Sequence, residues 1–159
     1  MKVLLRLFVV LACLIIGSTQ IAAGNKDYGK YVGTVSLGGK IDFNNVNNNG
    51  SSFMISTTHG SLFNERAYLG IGLGFYGDFE SWRIPIYAKW TYKFLRDEVT
   101  PYMGSSVGIA MNDYTDLSVL FSPEVGIYIG KVYFACQYML EDYVGPIEQS
   151  VGFCVGLSF

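Results

Sequence analysis

From Lys30 to Phe159, hydrophobic and polar residues alternate along most of the chain. A period of two is typical of β-strands that have one apolar and one polar face. The segment from Tyr31 to Phe43 is representative, since most of its large apolar side chains fall on odd positions and its Thr, Ser, Lys and Asp residues on even positions. Similar segments follow along the chain, and together they predict eight strands, most of them about ten residues long.

The two faces of the predicted strands differ in side-chain size. One face carries Phe, Leu, Ile, Val and Trp, whereas the other is rich in Gly, Ser, Ala and Thr. An eight-stranded barrel has an interior just wide enough for side chains to fill, so the small-residue face fits inside. The bulky face then points outward and needs an apolar solvent. The pattern predicts an all-β fold, an eight-stranded antiparallel up-and-down transmembrane β-barrel.

The connectors between the predicted strands alternate in length. The first, third, fifth and seventh are the longer ones, at Asn44–Ser51, Gly77–Trp82, Asn112–Asp116 and Glu141–Ser150. The second, fourth and sixth are generally shorter and lie near Asn64–Arg66, Arg96–Thr100 and Gly130. Outer-membrane barrels have longer extracellular loops and short periplasmic turns. The alternation favours a barrel in a bacterial outer membrane with both termini in the periplasm.

The N-terminal segment, residues 1–23, has the features of a secretory signal peptide. Lys2 and Arg6 charge its start, an apolar run occupies residues 7–16, and small residues follow. The apolar run is about half of the ~20 residues that a membrane-spanning helix needs. We therefore predict an exported protein with a cleaved signal peptide at 1–23 and one barrel domain at 24–159.

Composition and charge exclude several other classes of protein. The chain is 50% hydrophobic and only 15% charged, against about 25% charged residues in an ordinary soluble domain. Disordered chains have low hydrophobicity and high charge, so this composition excludes disorder. The formal net charge of -2 provides no basic surface, so nucleic acid is not an expected partner.

The end of the chain, Val155-Gly156-Leu157-Ser158-Phe159, is an alternating strand that closes on an aromatic residue. Together with the signal peptide and the eight alternating segments, it resembles the OmpX/OmpA-like, porin-family barrels, the small outer-membrane β-barrels of Gram-negative bacteria. The internal segments Ser56–Gly60 and Val99–Tyr102 are similar to parts of single-domain members from Bacteroides-type bacteria. The resemblance covers about Lys30 to Phe159. It implies that the barrel-assembly machinery reads the last strand, with Val155, Leu157 and Phe159, and that outer-membrane lipid surrounds the barrel.

Four polar residues, Lys89, Lys93, Glu124 and Gln137, fall on the small-residue face of the predicted strands. A charge inside a barrel must be paired, because burial of an unpaired charge is costly. We therefore expect these side chains to form an interior polar network that fills the barrel. The alternative is a narrow ion path lined by the same residues.

His59 is the only histidine of the chain, and Ser61 and Glu65 follow it closely. The spacing superficially resembles lipid A-modifying hydrolases of the outer membrane, which use Ser with His and a carboxylate. However, the predicted second strand places His59 near the periplasmic end, whereas outer-leaflet lipid chemistry needs its nucleophile near the opposite rim. One histidine without a cysteine cluster is also a poor metal-ligand set. We expect no catalysis, metal or cofactor.

The predicted function is a structural or surface-interaction role for a monomeric barrel whose outer loops form the contact surface. One alternative is a lipid A-modifying enzyme, which requires a Ser/His/carboxylate cluster at the outer rim. Another is a narrow pore for small solutes or ions, which requires an open, charge-lined lumen. A third is a soluble exported ligand carrier of the lipocalin type, which requires a larger interior.

Overall fold

A computed structural model describes residues 29–43, 51–77, 82–112, 117–142 and 147–159 of this chain. The predicted signal peptide at 1–23 and the predicted start of the barrel domain at residue 24 lie outside the described residues. Within the described ranges, no helix has the length and apolar character that crossing a membrane would require.

Alternation in the sequence becomes eight strands in the structure. They are β1 (Lys30–Asp42), β2 (Ser51–Phe63), β3 (Ala67–Gly77), β4 (Trp82–Lys93), β5 (Val99–Asn112), β6 (Leu117–Ile129), β7 (Val132–Asp142) and β8 (Glu148–Ser158). Each strand pairs antiparallel with the next along the chain, and β1 pairs antiparallel with β8. The sheet is therefore a closed up-and-down barrel, which confirms the predicted fold class.

The strands extend beyond the predicted boundaries and shorten some connections. Residues 141, 142 and 148–150 were predicted to lie in the seventh connector, but they belong to β7 and β8. The β4–β5 connection, residues 94–98, is longer than the β3–β4 connection at 78–81. The predicted alternation in loop length is therefore weaker than the sequence indicated. The inward polar side chains of Glu141 and Ser150 are buried, so these residues continue the strands instead of entering a solvated loop.

Both ends of the described chain lie at the same end of the barrel as the connections 64–66, 94–98 and 130–131, and we call this the terminal end. The opposite end is the long-loop end. At the terminal end, Asn64 and Glu65 have positive φ angles of 51° and 62°, and the Arg66 N–H donates to the Phe63 carbonyl at 3.1 Å. Positive φ at both central residues matches the turn type that suits the twist of a two-residue β-hairpin.

Two prolines interrupt the hydrogen-bonded ladder inside the barrel wall. Register pairing between β3 and β4 is absent opposite Pro85, and that between β6 and β7 is absent opposite Pro123. On their other sides, Pro85 pairs with Ala110 and Pro123 pairs with Ser105 without a break. Proline has no N–H to donate, so each proline loses hydrogen bonds to only one of its two neighbouring strands.

Large apolar side chains cover the outside of the barrel, as the alternation predicted. Ile71 is 71% exposed and Val125 is 60% exposed, although both lie within strands. Others of this kind, distributed over the eight strands, include Leu37, Phe53, Leu73, Ile86, Met103, Phe121, Phe134 and Phe153. The outside of the wall is therefore an apolar belt.

The inside of the barrel is filled with small residues and with tyrosines. Buried tyrosines project inward from five strands, at Tyr68, Tyr76, Tyr87, Tyr102, Tyr128 and Tyr133. Three of them lie directly opposite glycines on the neighbouring strand, in the pairs Tyr87–Gly72, Tyr102–Gly126 and Tyr133–Gly156. A Cβ atom at any of these glycines would collide with the ring of its partner. The inward glycines thus provide the space that the aromatic rings occupy.

Candidate functional site

The centre of the barrel contains an ion pair between Lys89 of β4 and Glu124 of β6. The Lys89 Nζ atom lies 2.8 Å from both carboxylate oxygens of Glu124. The side chains are only 12% and 2% exposed, respectively. Such a pair is shielded from water, so loss of either partner would leave a buried charge without compensation.

The structure places the other two predicted interior residues on the same side of the wall but outside this ion pair. The Lys93 Nζ atom lies over the Tyr128 ring, 3.9 Å from its centroid, in a cation–π contact. Gln137 is the register partner of Glu124 on β7, and its amide contacts the Met54 sulfur at 3.4 Å. The four residues therefore share the interior without forming one continuous hydrogen-bonded network.

A second cluster of charges, which the sequence reasoning did not identify as a site, lies toward the long-loop end. One Arg83 guanidinium nitrogen lies 2.7 Å from a carboxylate oxygen of Glu141 and 2.7 Å from one of Glu148. Lys40 is 3.2 Å from Asp42 and 3.9 Å from Glu141. The sequence shows that β1, β4, β7 and β8 carry residues of opposite charge at inward positions. It does not show which of these residues come into contact when the barrel closes.

Two clusters of apolar and aromatic side chains fill the rest of the described interior. Toward the long-loop half, Met54, Tyr76, Tyr87, Leu120 and Met139 pack as one buried cluster. Toward the terminal half, Tyr102, Tyr128, Tyr133 and Ala135 form another, in which the Tyr102 and Tyr128 ring centroids are 4.9 Å apart. The interior thus consists of successive layers of paired charges and packed rings.

His59 lies on the outside of the barrel, toward the terminal end. One ring nitrogen is hydrogen-bonded to the Tyr31 hydroxyl at 2.6 Å, and the other to the Thr57 hydroxyl at 3.1 Å. Glu65, the predicted carboxylate, lies in the β2–β3 turn, 3.9 Å from Arg96. The hydrogen bonds of His59 are thus to Tyr31 and Thr57, while Ser61 and Glu65 follow it toward the turn.

No group of three or more His, Cys, Asp or Glu side chains that could hold a metal ion occurs among the residues with described positions.

The predicted assembly signal occupies the outer side of β8. Val155, Leu157 and Phe159 are 43%, 57% and 61% exposed. The main-chain oxygen and N–H of Phe159 bond to Gly33 of β1, both at 2.9 Å, which fixes the last residue at the seam that closes the barrel.

No family model matches the sequence, and no curated protein matches it significantly. The fold, in contrast, is similar to solved structures. Neisserial surface protein A (NspA) superposes with a TM-score of 0.63 at 15% identity, covering 83% of this chain and 98% of that one. The outer membrane enzyme PagL gives a TM-score of 0.57 at 9% identity, with 79% and 98% covered.

The N-terminal β-barrel domain of Pseudomonas aeruginosa OprF gives a TM-score of 0.53 at 16% identity, covering 83% of this chain and 100% of that domain. At these identities the likeness concerns the fold. The chain therefore has the closed eight-stranded architecture of the OmpA/OmpX-like barrels that the sequence resemblance predicted. These solved structures include both an enzyme and a surface protein, so the shared fold does not select an activity.

Proposed function

We propose that this protein is an integral β-barrel of a bacterial outer membrane with a structural or surface-interaction role. The apolar belt carries the proposal. Soluble monomers rarely expose contiguous apolar patches larger than a few hundred Å², whereas here large apolar side chains are exposed on the outer face of all eight strands. In a bilayer, the same side chains contact hydrocarbon and need no further partner.

The polar groups on the outer face support the same proposal. Trp90 donates its indole N–H to the Ser105 hydroxyl at 2.6 Å. Tyr138 donates its hydroxyl to Gln149 at 2.7 Å. Polar groups that face hydrocarbon must form hydrogen bonds with one another, because no water is present to do so.

Exposed aromatic residues near both barrel ends also support the proposal, because the interfaces between membrane and water are enriched in Trp and Tyr. These residues are Tyr92, Phe94 and Phe159 at the terminal end, and Phe43 and Trp82 at the long-loop end.

The proposed orientation places the terminal end in the periplasm and the long-loop end outside, as in other outer-membrane barrels. An exported chain with the signal peptide at 1–23 would reach this membrane from the periplasm. The barrel-assembly machinery would read Val155 and Leu157 of β8 and Phe159, which follows it. The surroundings of the folded monomer would be lipid, with the connections at the long-loop end available for contacts outside the cell.

The proposed role is not catalytic. Nucleophilic catalysis requires a base within hydrogen-bond reach of the nucleophile and a third group that orients the base. His59, the only histidine, instead bonds to Tyr31 and Thr57. It also lies at the terminal end, away from the leaflet that outer-surface lipid A chemistry would use. A turnover assay with lipid A as substrate should therefore show no product, and Ser61→Ala should not change the result.

The proposed role also excludes a pore. The Lys89–Glu124 pair, the Arg83–Glu141 cluster and the two tyrosine-containing clusters occupy successive levels of the lumen. An eight-stranded barrel leaves little space beyond what its own side chains fill. We expect no stepwise conductance in planar bilayers. Regular single-channel steps from the purified protein would favour the narrow pore instead.

Electrophoresis of the detergent-folded protein, with and without boiling, tests the membrane assignment. The closed barrel should resist the detergent at room temperature and migrate differently after boiling. Identical mobility in both samples, combined with solubility without detergent, would contradict the assignment and favour a soluble carrier.

A further inference from the structure

The mouth of the barrel at the terminal end is a cavity of about 260 Å³ lined by basic side chains. Lys30 of β1, Lys93 of β4 and Lys131 of the β6–β7 turn contribute to its wall, together with Tyr68 and Tyr128. The three lysines are far apart in sequence and meet only because the barrel closes. Tyr68, at the inner side of the cavity, is already held by the hydrogen bond from its hydroxyl to Thr58 at 3.1 Å.

The three lysines of this cavity have no ion-pair partner in the described part of the chain. The other interior cations, Lys40, Arg83 and Lys89, each have a carboxylate within 4.0 Å. Within that part, no ion pair involves Lys30, Lys93 or Lys131, and no acidic side chain lines the cavity. The polar contact of the Lys93 ammonium is with the face of the Tyr128 ring.

We propose that this cavity binds the phosphate group of an anionic ligand. Ammonium groups are strong donors to phosphate oxygens, and charge-assisted hydrogen bonds of this kind are about twice as strong as neutral ones. A phosphate group offers several oxygen acceptors and more than one negative charge, which suits three ammonium groups around one opening. Lys93 is the central residue, because it reaches the cavity from the inner side of the wall and is partly buried.

Two sources could supply the phosphate. If the barrel spans a bilayer, the terminal end lies at the level of one layer of lipid headgroups, so a phospholipid headgroup could enter the cavity. A soluble phosphate ester from the adjoining aqueous compartment has the same recognition chemistry. The exposed aromatic rings of Tyr31 and Phe159 stand at the rim of the cavity, where the barrel wall meets its surroundings.

The matched variants are Lys93→Gln and Arg96→Gln. Both remove one positive charge at the terminal end, but Arg96 is exposed, lies near Glu65 and does not line the cavity. Inorganic phosphate is titrated into the detergent-folded protein at constant ionic strength, and amide chemical shifts near Ser158 and Lys131 are followed by NMR. We expect saturable binding that Lys93→Gln weakens about tenfold and that Lys93→Arg largely retains.

The second arm places the protein in phosphatidylcholine nanodiscs with and without phosphatidylglycerol. Shifts at the same amides that depend on phosphatidylglycerol identify a lipid source, and shifts with inorganic phosphate alone identify a soluble one. Because the first arm is done in detergent, it does not depend on the membrane assignment. If Lys93→Gln does not fold, Lys131→Gln in the turn replaces it. Absence of saturable shifts with either probe, or equal weakening by Arg96→Gln, would overturn the proposal.

Discussion

Lys89 and Glu124 form their ion pair across an intervening strand. They belong to β4 and β6, and β5 lies between them. The inward residues of β5 at this level are Gly104 and Ser106, the register partners of Glu124 and Lys89, respectively. Because these residues are small, the two charged side chains can approach each other across the inner face of β5. The pair therefore connects β4 with β6 across β5 and is a structural element of the barrel interior.

Glu124→Gln should strongly destabilise the protein, because it leaves the Lys89 ammonium without a carboxylate in a site of low exposure. Removing one partner of a buried ion pair costs about 3–5 kcal/mol. The measurement is the midpoint of urea unfolding in detergent micelles, followed by tryptophan fluorescence. Lys89→Met combined with Glu124→Gln should recover much of the loss, because it removes both charges. An unchanged midpoint for the single variant would show that the pair does not stabilise the interior.

Glu141 and Glu148 form ion pairs with Arg83 at the same distance but differ in burial. Each has a carboxylate oxygen 2.7 Å from the same Arg83 nitrogen, but their side chains are 2% and 40% exposed. Exposed ion pairs contribute about 0–1 kcal/mol, whereas breaking a buried pair costs about 3–5 kcal/mol. Glu141→Gln should therefore lower the unfolding midpoint much more than Glu148→Gln. Equal effects would mean that water reaches both carboxylates.

The sequence predicted the direction of the side chains better than their contacts. Alternation assigned Lys89, Lys93, Glu124 and Gln137 to one face, because a one-residue shift in register would reverse the two faces of a strand. In the structure these four side chains are on the inner side of the wall. It could not show that Lys89 meets Glu124 while Lys93 meets the Tyr128 ring. Those contacts depend on how adjacent strands are staggered when the barrel closes, and alternation contains no information on stagger.

The sequence also underestimated how much aromatic volume the interior accommodates. The inner face was interpreted as mainly Gly, Ser, Ala and Thr, yet Tyr68, Tyr76 and Tyr128 are also buried there. Gly70 and Gly74, each two residues away on the same strand, leave space beside Tyr68 and Tyr76. Tyr128 packs against the rings of Tyr102 and Tyr133 on the neighbouring strands, and those contacts are defined only by the register. Alternation also did not reveal the gaps in hydrogen-bonded pairing opposite the prolines of β4 and β6, because a proline fits the alternating pattern as well as any other residue.

Gly156→Val should destabilise the barrel through one identifiable contact. The three atoms nearest to an added Cβ are two ring carbons and the hydroxyl oxygen of Tyr133, all closer than a real Cβ atom can approach. Overpacking of this kind costs about 1–3 kcal/mol. Gly39→Val is the control, because an added Cβ there meets its nearest neighbour, the Ser52 carbonyl oxygen, at 3.6 Å.

The double variant Gly156→Val with Tyr133→Leu tests whether the ring causes the loss. Replacing the ring by a shorter side chain should restore part of the unfolding midpoint that Gly156→Val removes. If the double variant is less stable by the sum of the two single effects, Gly156 is required for a reason other than space for Tyr133.

The last prediction separates a barrel in lipid from a barrel in water. Ile71 lies near the middle of β3 and is 71% exposed, while Ile41 lies near the long-loop end of β1 and is 54% exposed. On the lipid face of a transmembrane barrel, a lysine costs about 2–4 kcal/mol at the midplane and about 0–1 kcal/mol near the interface. Ile71→Lys should therefore destabilise the protein in a phospholipid bilayer, and Ile41→Lys should have little effect. In water, both substitutions would replace an exposed apolar side chain by a solvated one, so neither should be costly. Depth-dependent destabilisation measured by urea unfolding in vesicles supports the membrane assignment, and equal tolerance of the two lysines contradicts it.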